Sequence, residues 1–500
     1  MINAISIGNF KAFAEQQRVP ICPLTLIYGA NSSGKSSILH SLLFMQHALK
    51  TGNVDVHHTR AGEKSVDLGG FRQFIHRQDM MQRVKLSLDL NLELTHEEIF
   101  EYSTKEHKLQ IKNLLVSLSF GVPVENGTLL QFEKPELRSY DISVDNEYLI
   151  QIKRYVDLEL EQLNRKHPFF QKLIDFYDSS YAAYSGNIPS QDELDNDFVV
   201  IDKEDFLLPT GLFIHGKELP SFLEPIEDMF RLLFREINSE ISEGLKNLQH
   251  LGPLRSYPAR HSTFRRLYNP DLRTGSRDAW EVVHYDSNVR EKINGWLSSG
   301  NRLQTPYELT VRSFVDVEQL DESLLDTSGG TIQENILYLR DDIEYFQELA
   351  MIDKRSNTLV SHRDIGVGIS QVLPILAKAY ASQRKIIAVE QPEIHLHPAL
   401  QADLGDVFIE SALGKGKNRF LIETHSENLL LRIMKRMRQA KNGELPSGIP
   451  AITPEDVCLL FVQPNGNSSV ILNLELDEEG CLLDPWPGGF FEEGYRERFE

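Results

Sequence analysis

Residues 29–36 read Gly-Ala-Asn-Ser-Ser-Gly-Lys-Ser, the pattern G-x-x-x-x-G-K-S. The backbone N–H groups of such a turn can close around polyphosphate, with the lysine reaching the β/γ-phosphates and the serine hydroxyl on Mg2+. Asn31, Ser32, Ser33, Gly34, Lys35, Ser36 and Ser37 are therefore candidate nucleotide-binding residues, and Ser36 is also a candidate metal ligand. A chain of 500 residues would show the pattern by accident about 2% of the time at average residue frequencies. Context lowers that figure. Pro23-Leu-Thr-Leu-Ile-Tyr28 reads as a buried strand, and Ile38, Leu39, Leu42, Leu43, Met45 and Leu49 recur at helical spacing. Strand, glycine-containing turn and helix together predict binding of a nucleoside triphosphate.

The other parts of such a site lie far along the chain. Lys385-Ile-Ile-Ala-Val-Glu390 is an apolar run ending in an acid, the form in which a Walker B strand delivers a carboxylate to Mg2+, so Glu390 is the candidate metal acid. It continues Gln391-Pro-Glu393-Ile-His395-Leu-His397-Pro. Arg419-Phe-Leu-Ile-Glu-Thr-His425-Ser is a second buried strand ending in a polar turn, with His425 where a γ-phosphate sensor belongs. Upstream, Asp364-Ile-Gly366-Val-Gly368-Ile-Ser370-Gln371 opens an apolar helix. A glycine-rich helix start attracts anions, so Gly366, Gly368 and Ser370 join the nucleotide-binding candidates. A lone Gly-x-Gly is weak; four elements in this order are specific.

That order resembles the ABC-type ATPase heads. The opening Ile7-Gly-Asn-Phe-Lys-Ala-Phe13 and the block Val389-Glu-Gln-Pro-Glu-Ile-His-Leu-His-Pro398 look like the SMC/RecF/OLD branch. More narrowly, they are similar to the prokaryotic AAA family ATPases of defence islands, such as the ATPase subunits of Septu or PARIS systems. The tail Trp486-Pro-Gly-Gly-Phe-Phe491 is similar to the ending of one subgroup of uncharacterised function, and Leu251-Gly-Pro-Leu-Arg255 looks like a motif of the same subgroup. The resemblance covers residues 1–77 and 355–491. It implies an α/β P-loop NTPase fold, an ABC-type ATPase head with a large α+β insertion, and ATP with Mg2+ as cofactors. It also implies self-association, a head-to-tail dimer or higher homo-oligomer, with each ATP between the P-loop of one subunit and the signature helix of another. Two departures stand out. Aligning residues 365–371 on L-S-x-G-x-Q puts Gly366 where the phosphate-binding serine is expected, with Ser370 one turn on. Aligning Val389-Glu-Gln-Pro on D-E-P puts Glu390 on the metal-binding acid and Gln391 on the catalytic glutamate. An amide can position water but cannot take its proton. Glu393 and His395 are the alternative bases, and slow hydrolysis with a long-lived ATP-bound assembly is the expectation.

The elements that position these residues divide the chain. Residues 1–77 form the N-terminal half of the head, with Asp67-Leu-Gly-Gly-Phe-Arg-Gln73-Phe as the Q-loop and Gln73 as a candidate metal ligand. Residues 78–354 are the insertion, 355–475 the C-terminal half of the head, and 476–500 the tail. Within the insertion, residues 84–94 alternate as an antiparallel strand with one wet face, continued by 114–120. Residues 158–185 and 221–248 read as helices, the second with Phe222, Ile226, Met229, Phe230, Leu233, Phe234 and Ile237 on one stripe, most simply core. No heptad persists, so no long coiled-coil arm is expected.

Charge and composition exclude other classes. A formal net charge of −21 argues against a generally basic nucleic-acid-coating protein. Two local basic segments leave nucleic acid open as a ligand: Arg255, Arg260, Arg265, Arg266, Arg273 and Arg277, and the run Lys435–Lys441. Solvated surface or internal salt bridges account for both equally well. No stretch approaches the ~18 apolar residues of a membrane span, so no membrane partner is expected. Cys22, Cys458 and Cys481 look too few and scattered for a disulfide framework or zinc site, which suggests a reduced cytoplasm. Only 75 residues follow His425, without the D-x-D pair of a Toprim nuclease domain. The leading expectation is an ATP-dependent sensor or scaffold in a prokaryotic defence system with a separately encoded effector, a nuclease. The alternatives are a RecF-like repair ATPase acting on DNA directly, and a binding module in which ATP is a structural ligand.

Overall fold

The computed structural model of the chain describes residues 2–59, 66–95, 108–125, 128–129, 134–154, 159–164, 166–170, 172–173, 208, 224–253, 255, 263–265, 279–298, 302–315, 345–360 and 365–491. It opens with β1 (Ile2–Gly8), β2 (Gln17–Pro20), β3 (Leu24–Gly29), α1 (Lys35–Thr51) and the single turn α2 (Phe71–Phe74). Every residue of β3 is buried. A strand covered on both faces requires such an unbroken apolar run, whereas a half-exposed strand alternates.

β4 (Val84–Thr95), β5 (Lys108–Gly121), the short pair β6 (Val124–Glu125) and β7 (Thr128–Leu129), β8 (Glu136–Val144), β9 (Glu147–Arg154) and β10 (Glu159–Leu163) follow. With β1 and β2, all but the short pair form an antiparallel sheet of order β10-β9-β8-β5-β4-β1-β2. The alternation read in residues 84–94 is realised there, with Leu86, Leu88 and Leu90 buried and Lys85 and Asn91 exposed. The helix expected over 158–185 is overturned at its start. Glu159–Leu163 pair antiparallel with Ile150–Arg154, and that tertiary ladder overrides a local helical preference. Residues 174–185 lie outside the described residues.

The second predicted helix is α3 (Glu224–Lys246). Its stripe is core: Phe230, Leu233, Phe234 and Ile237 are buried, and Phe234 stacks on Tyr140 at 5.7 Å. Phe222 lies outside the described residues. Next come β11 (Leu248–Leu251), β12 (Thr263–Arg265), α4 (Ala279–Tyr285), α5 (Ser287–Ser298), β13 (Tyr307–Val315), β14 (Tyr345–Asp353) and β15 (Thr358–Val360). The head resumes with α6 (Val367–Ala381), β16 (Ile386–Glu390), α7 (Pro398–Leu413), β17 (Arg419–Glu423), α8 (Glu427–Asn442), β18 (Val457–Asn465) and β19 (Ser468–Leu474).

The sheet that positions the site runs β11-β16-β17-β3-β18-β19, parallel except for β19. β11 comes from within residues 78–354 yet pairs with β16, so the insertion builds a strand of the head. Side chains alternate between two cores. Ile27, Ala388, Leu421 and Leu460 face one with α1 and the antiparallel sheet; Leu26, Val389, Ile422 and Leu459 face the other with α6, α7 and α8.

One expectation changes in this light, and two readings left open are decided. Cys22 and Cys458, scattered in sequence, are joined as a disulfide because β18 pairs alongside β3, with their Cα atoms 5.8 Å apart; Cys481 is exposed and free. Arg255 is not surface but 5% exposed, and Arg436, in the second basic run, is buried against Asp406 at 2.7 Å. Arg260, Arg266, Arg273 and Arg277 lie outside the described residues. Among the described residues no helix is long and apolar enough to cross a membrane.

Phe44 of α1 sits fully buried between Phe74 (4.9 Å) and Phe120 (5.4 Å), where the head meets the antiparallel sheet. Phe44→Ala should remove about 3–5 kcal/mol of stability through the cavity it leaves. Urea unfolding would register this as a lower midpoint; an unchanged midpoint would show that the two layers do not share this core.

Candidate nucleotide site

The turn between β3 and α1 holds three left-handed residues, Gly29 (φ 145°), Ser32 (φ 60°) and Gly34 (φ 99°). A Cβ at Gly29 would collide with the Val462 carbonyl oxygen, and one at Gly34 with the Ala12 side chain. Glycine is thus enforced by neighbouring chain as well as by φ. Asn31 and Ser32 are exposed, while Ser33, Lys35 and Ser37 are buried. Lys35 Nζ donates to the carbonyls of Gly29 (3.0 Å) and Ala30 (2.8 Å), which holds the ammonium inside the cradle. Burial lowers the Lys35 pKa, against the attraction of Glu423 and Glu393.

Glu390 ends β16 and Glu423 ends β17, and the two are direct partners in the parallel register. Their surroundings differ. Glu390 Oε1 lies 2.8 Å from His250 Nε2 and 3.7 Å from His40 Nε2. Burial alone would raise the Glu390 carboxyl, but the two imidazoles outweigh it and hold the pKa down at about 2. Lys11 Nζ donates to His40 Nδ1 at 2.7 Å. Lysine has only donors, so this bond turns an Nε2–H of His40 toward Glu390. Burial raises the pKa of Glu423, against the stabilising influence of the nearby Ser36 hydroxyl.

Glu393 Oε2 accepts from Thr424 Oγ1 (2.7 Å) and its Oε1 from the His425 N–H (2.8 Å), so both oxygens are tied to the switch strand. Gln391 has a φ of 43°, its N–H donates to the Glu423 carbonyl (2.7 Å), and its carbonyl accepts from Arg255 Nη2 (3.0 Å). Arg255 Nη2 also donates to the Glu390 carbonyl (2.8 Å), and its backbone N–H to Gln371 Oε1 of α6 (3.3 Å). One buried guanidinium therefore links the Walker B strand end to the signature helix. Gly366 and Val367 at the start of α6 are exposed and no side chain caps the helix, whereas Ser370 is buried. Gln73 is exposed, and its amide oxygen accepts from Gln78 (3.1 Å). It is engaged with its own turn, not with the Ser36–Glu423 pair. His397 caps α7, accepting from the Ala399 N–H.

The described residues fit a Mg2+-nucleotide. Ser33 Oγ, Glu423 Oε2 and His425 Nε2 are buried with no hydrogen-bond partner among them. Phosphate oxygens would satisfy the hydroxyl and imidazole, and a cation the carboxylate. Behind His425, the tail covers the sheet: Trp486 and Phe491 pack edge-on against Tyr28 at 5.5 and 5.7 Å, and Phe490 lies 6.4 Å from the His425 ring.

Residues absent from the sequence reading are Glu423, His40, His250 and Lys11. Glu423 carried the signal already used for Glu390, an apolar strand ending in an acid. His40 lies one turn beyond Ser36 on the same helix face.

The model of the AAA ATPase domain family matches residues 1–210 and 217–430, and that of a protein of unknown function (DUF3696) matches residues 452–497. No curated protein matches. Similar solved structures include an SMC head bound to the C-winged helix domain of ScpA, 11% identical with TM-score 0.35 over 95% of this chain and 98% of that one. Another is the SMC head domain from Thermotoga maritima, 10% identical with TM-score 0.33 over 95% and 99%. A third is an Smc head with an extended coiled coil bound to the C-terminal domain of ScpA derived from Pyrococcus furiosus, 10% identical with TM-score 0.35 over 95% and 96%.

Lys35→Ala should abolish ATP binding, since the phosphates lose their facing cation. Calorimetry on a variant with an unaltered circular-dichroism spectrum would measure this; wild-type affinity would place the nucleotide elsewhere.

Proposed function

We propose, from the premise that this chain belongs to the AAA ATPase domain family, that it is an ATP-binding, slowly hydrolysing switch. It would serve as the sensor or scaffold subunit of a prokaryotic anti-phage complex, with a separately encoded effector, a nuclease, as partner. The observation that carries the switch is the pairing of two half-sites on one chain. The P-loop cradle holds Lys35 and Ser36 beside strand-end carboxylates, while the uncapped start of α6 lies exposed, Val367 at 59%. A phosphate chain in the first would gain the N–H groups of the second only from another copy, which supports a head-to-tail dimer. Ser36 and a strand-end glutamate would hold Mg2+, whose contribution is to neutralise phosphate charge.

Slow turnover is supported by the groups around the attacking water. Gln391 has no carboxylate to offer and its backbone is fixed on both sides. Glu393 has both oxygens engaged by Thr424 and His425. Partner signalling is favoured over direct DNA binding because Arg255 and Arg436, drawn from the two basic segments, are spent inside the protein.

ATP·Mg2+ should enlarge the assembly or tighten an existing one, because each γ-phosphate would be a ligand for two subunits. Light scattering giving the same mass and dissociation constant with and without nucleotide would remove the composite site. Turnover should lie well below the ~10 s⁻¹ median of enzymes, and Gln391→Glu should raise it by restoring a base. Phosphate release that stays flat in Gln391→Glu would argue that position 391 only shapes the turn.

A further inference from the structure

The two glutamates that end β16 and β17 sit side by side, yet only one is disposed toward the P-loop serine. β17 lies between β16 and β3, so Glu423 is one strand nearer the cradle, paired with Ile27, two residues before Gly29. The Ser36 hydroxyl lies near enough to Glu423 to favour its carboxylate form, and a serine oxygen keeps lone pairs for a cation. Glu390, by contrast, already has two imidazoles on its Oε1, His250 at 2.8 Å and His40 at 3.7 Å, the latter backed by Lys11.

Glu423 is 6% exposed and its Oε2 has no hydrogen-bond partner among the described residues. Lys35 is near enough to act on it electrostatically, but its ammonium is bonded to the carbonyls of Gly29 and Ala30. A buried carboxylate oxygen left so is costly whether ionised or protonated, since a proton there would be an unpartnered donor instead. A cation removes the cost. Mg2+ takes one or two carboxylates along with substrate phosphates and water, so a hydroxyl and one free carboxylate oxygen suffice on the protein side.

Building on the reading of this cradle as an ATP·Mg2+ site, we propose that Glu423 of the switch strand, rather than Glu390 of the Walker B strand, is the carboxylate that faces the nucleotide's Mg2+ beside Ser36. Glu390 is then a positioning residue, whose charge is held by histidines from α1 and β11. The metal would thereby be read by β17, the strand that carries His425 two residues on.

ATP binding by the full-length protein, titrated with Mg2+ and repeated in excess EDTA, tests this by calorimetry without turnover. Glu423→Gln keeps the volume and an acceptor for Ser36 but removes the charge. It should raise the Mg2+ needed for half-maximal ATP binding by at least about tenfold, with EDTA-state affinity unchanged or tighter. Glu390→Gln should shift the midpoint by less than Glu423→Gln does. Should Glu423→Gln fail to fold, Glu423→Asp retains the charge on a shorter arm and should move preference from Mg2+ toward the larger Ca2+. A wild-type Mg2+ midpoint in Glu423→Gln, a larger shift in Glu390→Gln, or an unchanged Mg2+ to Ca2+ preference in Glu423→Asp would each overturn the assignment. A wild type that binds no ATP at any Mg2+ concentration would overturn the ATP-site reading along with it.

Discussion

Glu390, Glu393 and Glu423 gather at the end of a buried parallel sheet, the last two beside Lys35, and like charges so placed must be compensated. Much of the architecture answers that demand. Glu390 draws on His250 from a strand that the insertion supplies and on His40 from the P-loop helix. Glu393 takes an N–H and a hydroxyl from the switch turn. Glu423 has the Ser36 hydroxyl nearby and is left with one oxygen bare. In a chain whose net charge is −21, local cations and donors are what make this cluster tenable. It is also why the site is electrostatically incomplete without a bound cation.

Arg255 gives the arrangement a second property. Its guanidinium bridges the carbonyls of Glu390 and Gln391 and reaches the carbonyl of Gln371 on α6 (3.4 Å). The signature helix and the Walker B turn of one subunit therefore share a single rigid fork. If α6 engages a neighbour's nucleotide, movement of that helix bears directly on the turn holding Gln391. Arg255 and His250 both belong to the stretch between the halves of the head, which makes that stretch part of the machinery.

How much of this could be read from sequence depended on whether the signal was local. The P-loop, the strand Lys385–Glu390 and the strand before His425 are contiguous patterns whose apolar runs and terminal polar residues announce themselves, and β3, β16 and β17 follow them closely. The α3 stripe was legible for the same reason, its period being that of one helix. What escaped needed register. That Glu423 lies opposite Glu390, that His250 reaches Glu390 from 140 positions away, and that β18 sets Cys458 beside Cys22 follow only from strand order. Arg255 was visible but its place was left open, since a string of arginines does not say which of them has a buried carbonyl to meet. Residues 159–163 looked helical because their strand pairing is with another part of the chain.

The neighbours of the P-loop strand carry a consequence for biosynthesis. β3 is flanked by β17 and β18, and Cys22 and Cys458 on the latter edge are 436 residues apart. At ribosomal rates of about 5–20 residues per second, that strand waits about 20–90 s for its last partner. Throughout, a largely apolar strand with open hydrogen-bonding edges is available for pairing with any other nascent chain. The head sheet can be completed only once β18 has been made, and the tail aromatics that pack on Tyr28 follow β18 in the chain. A chain that stalls before β18 yields an aggregation-prone sheet with a cradle that has never closed, so translation itself acts as a checkpoint on whether this ATPase comes into being.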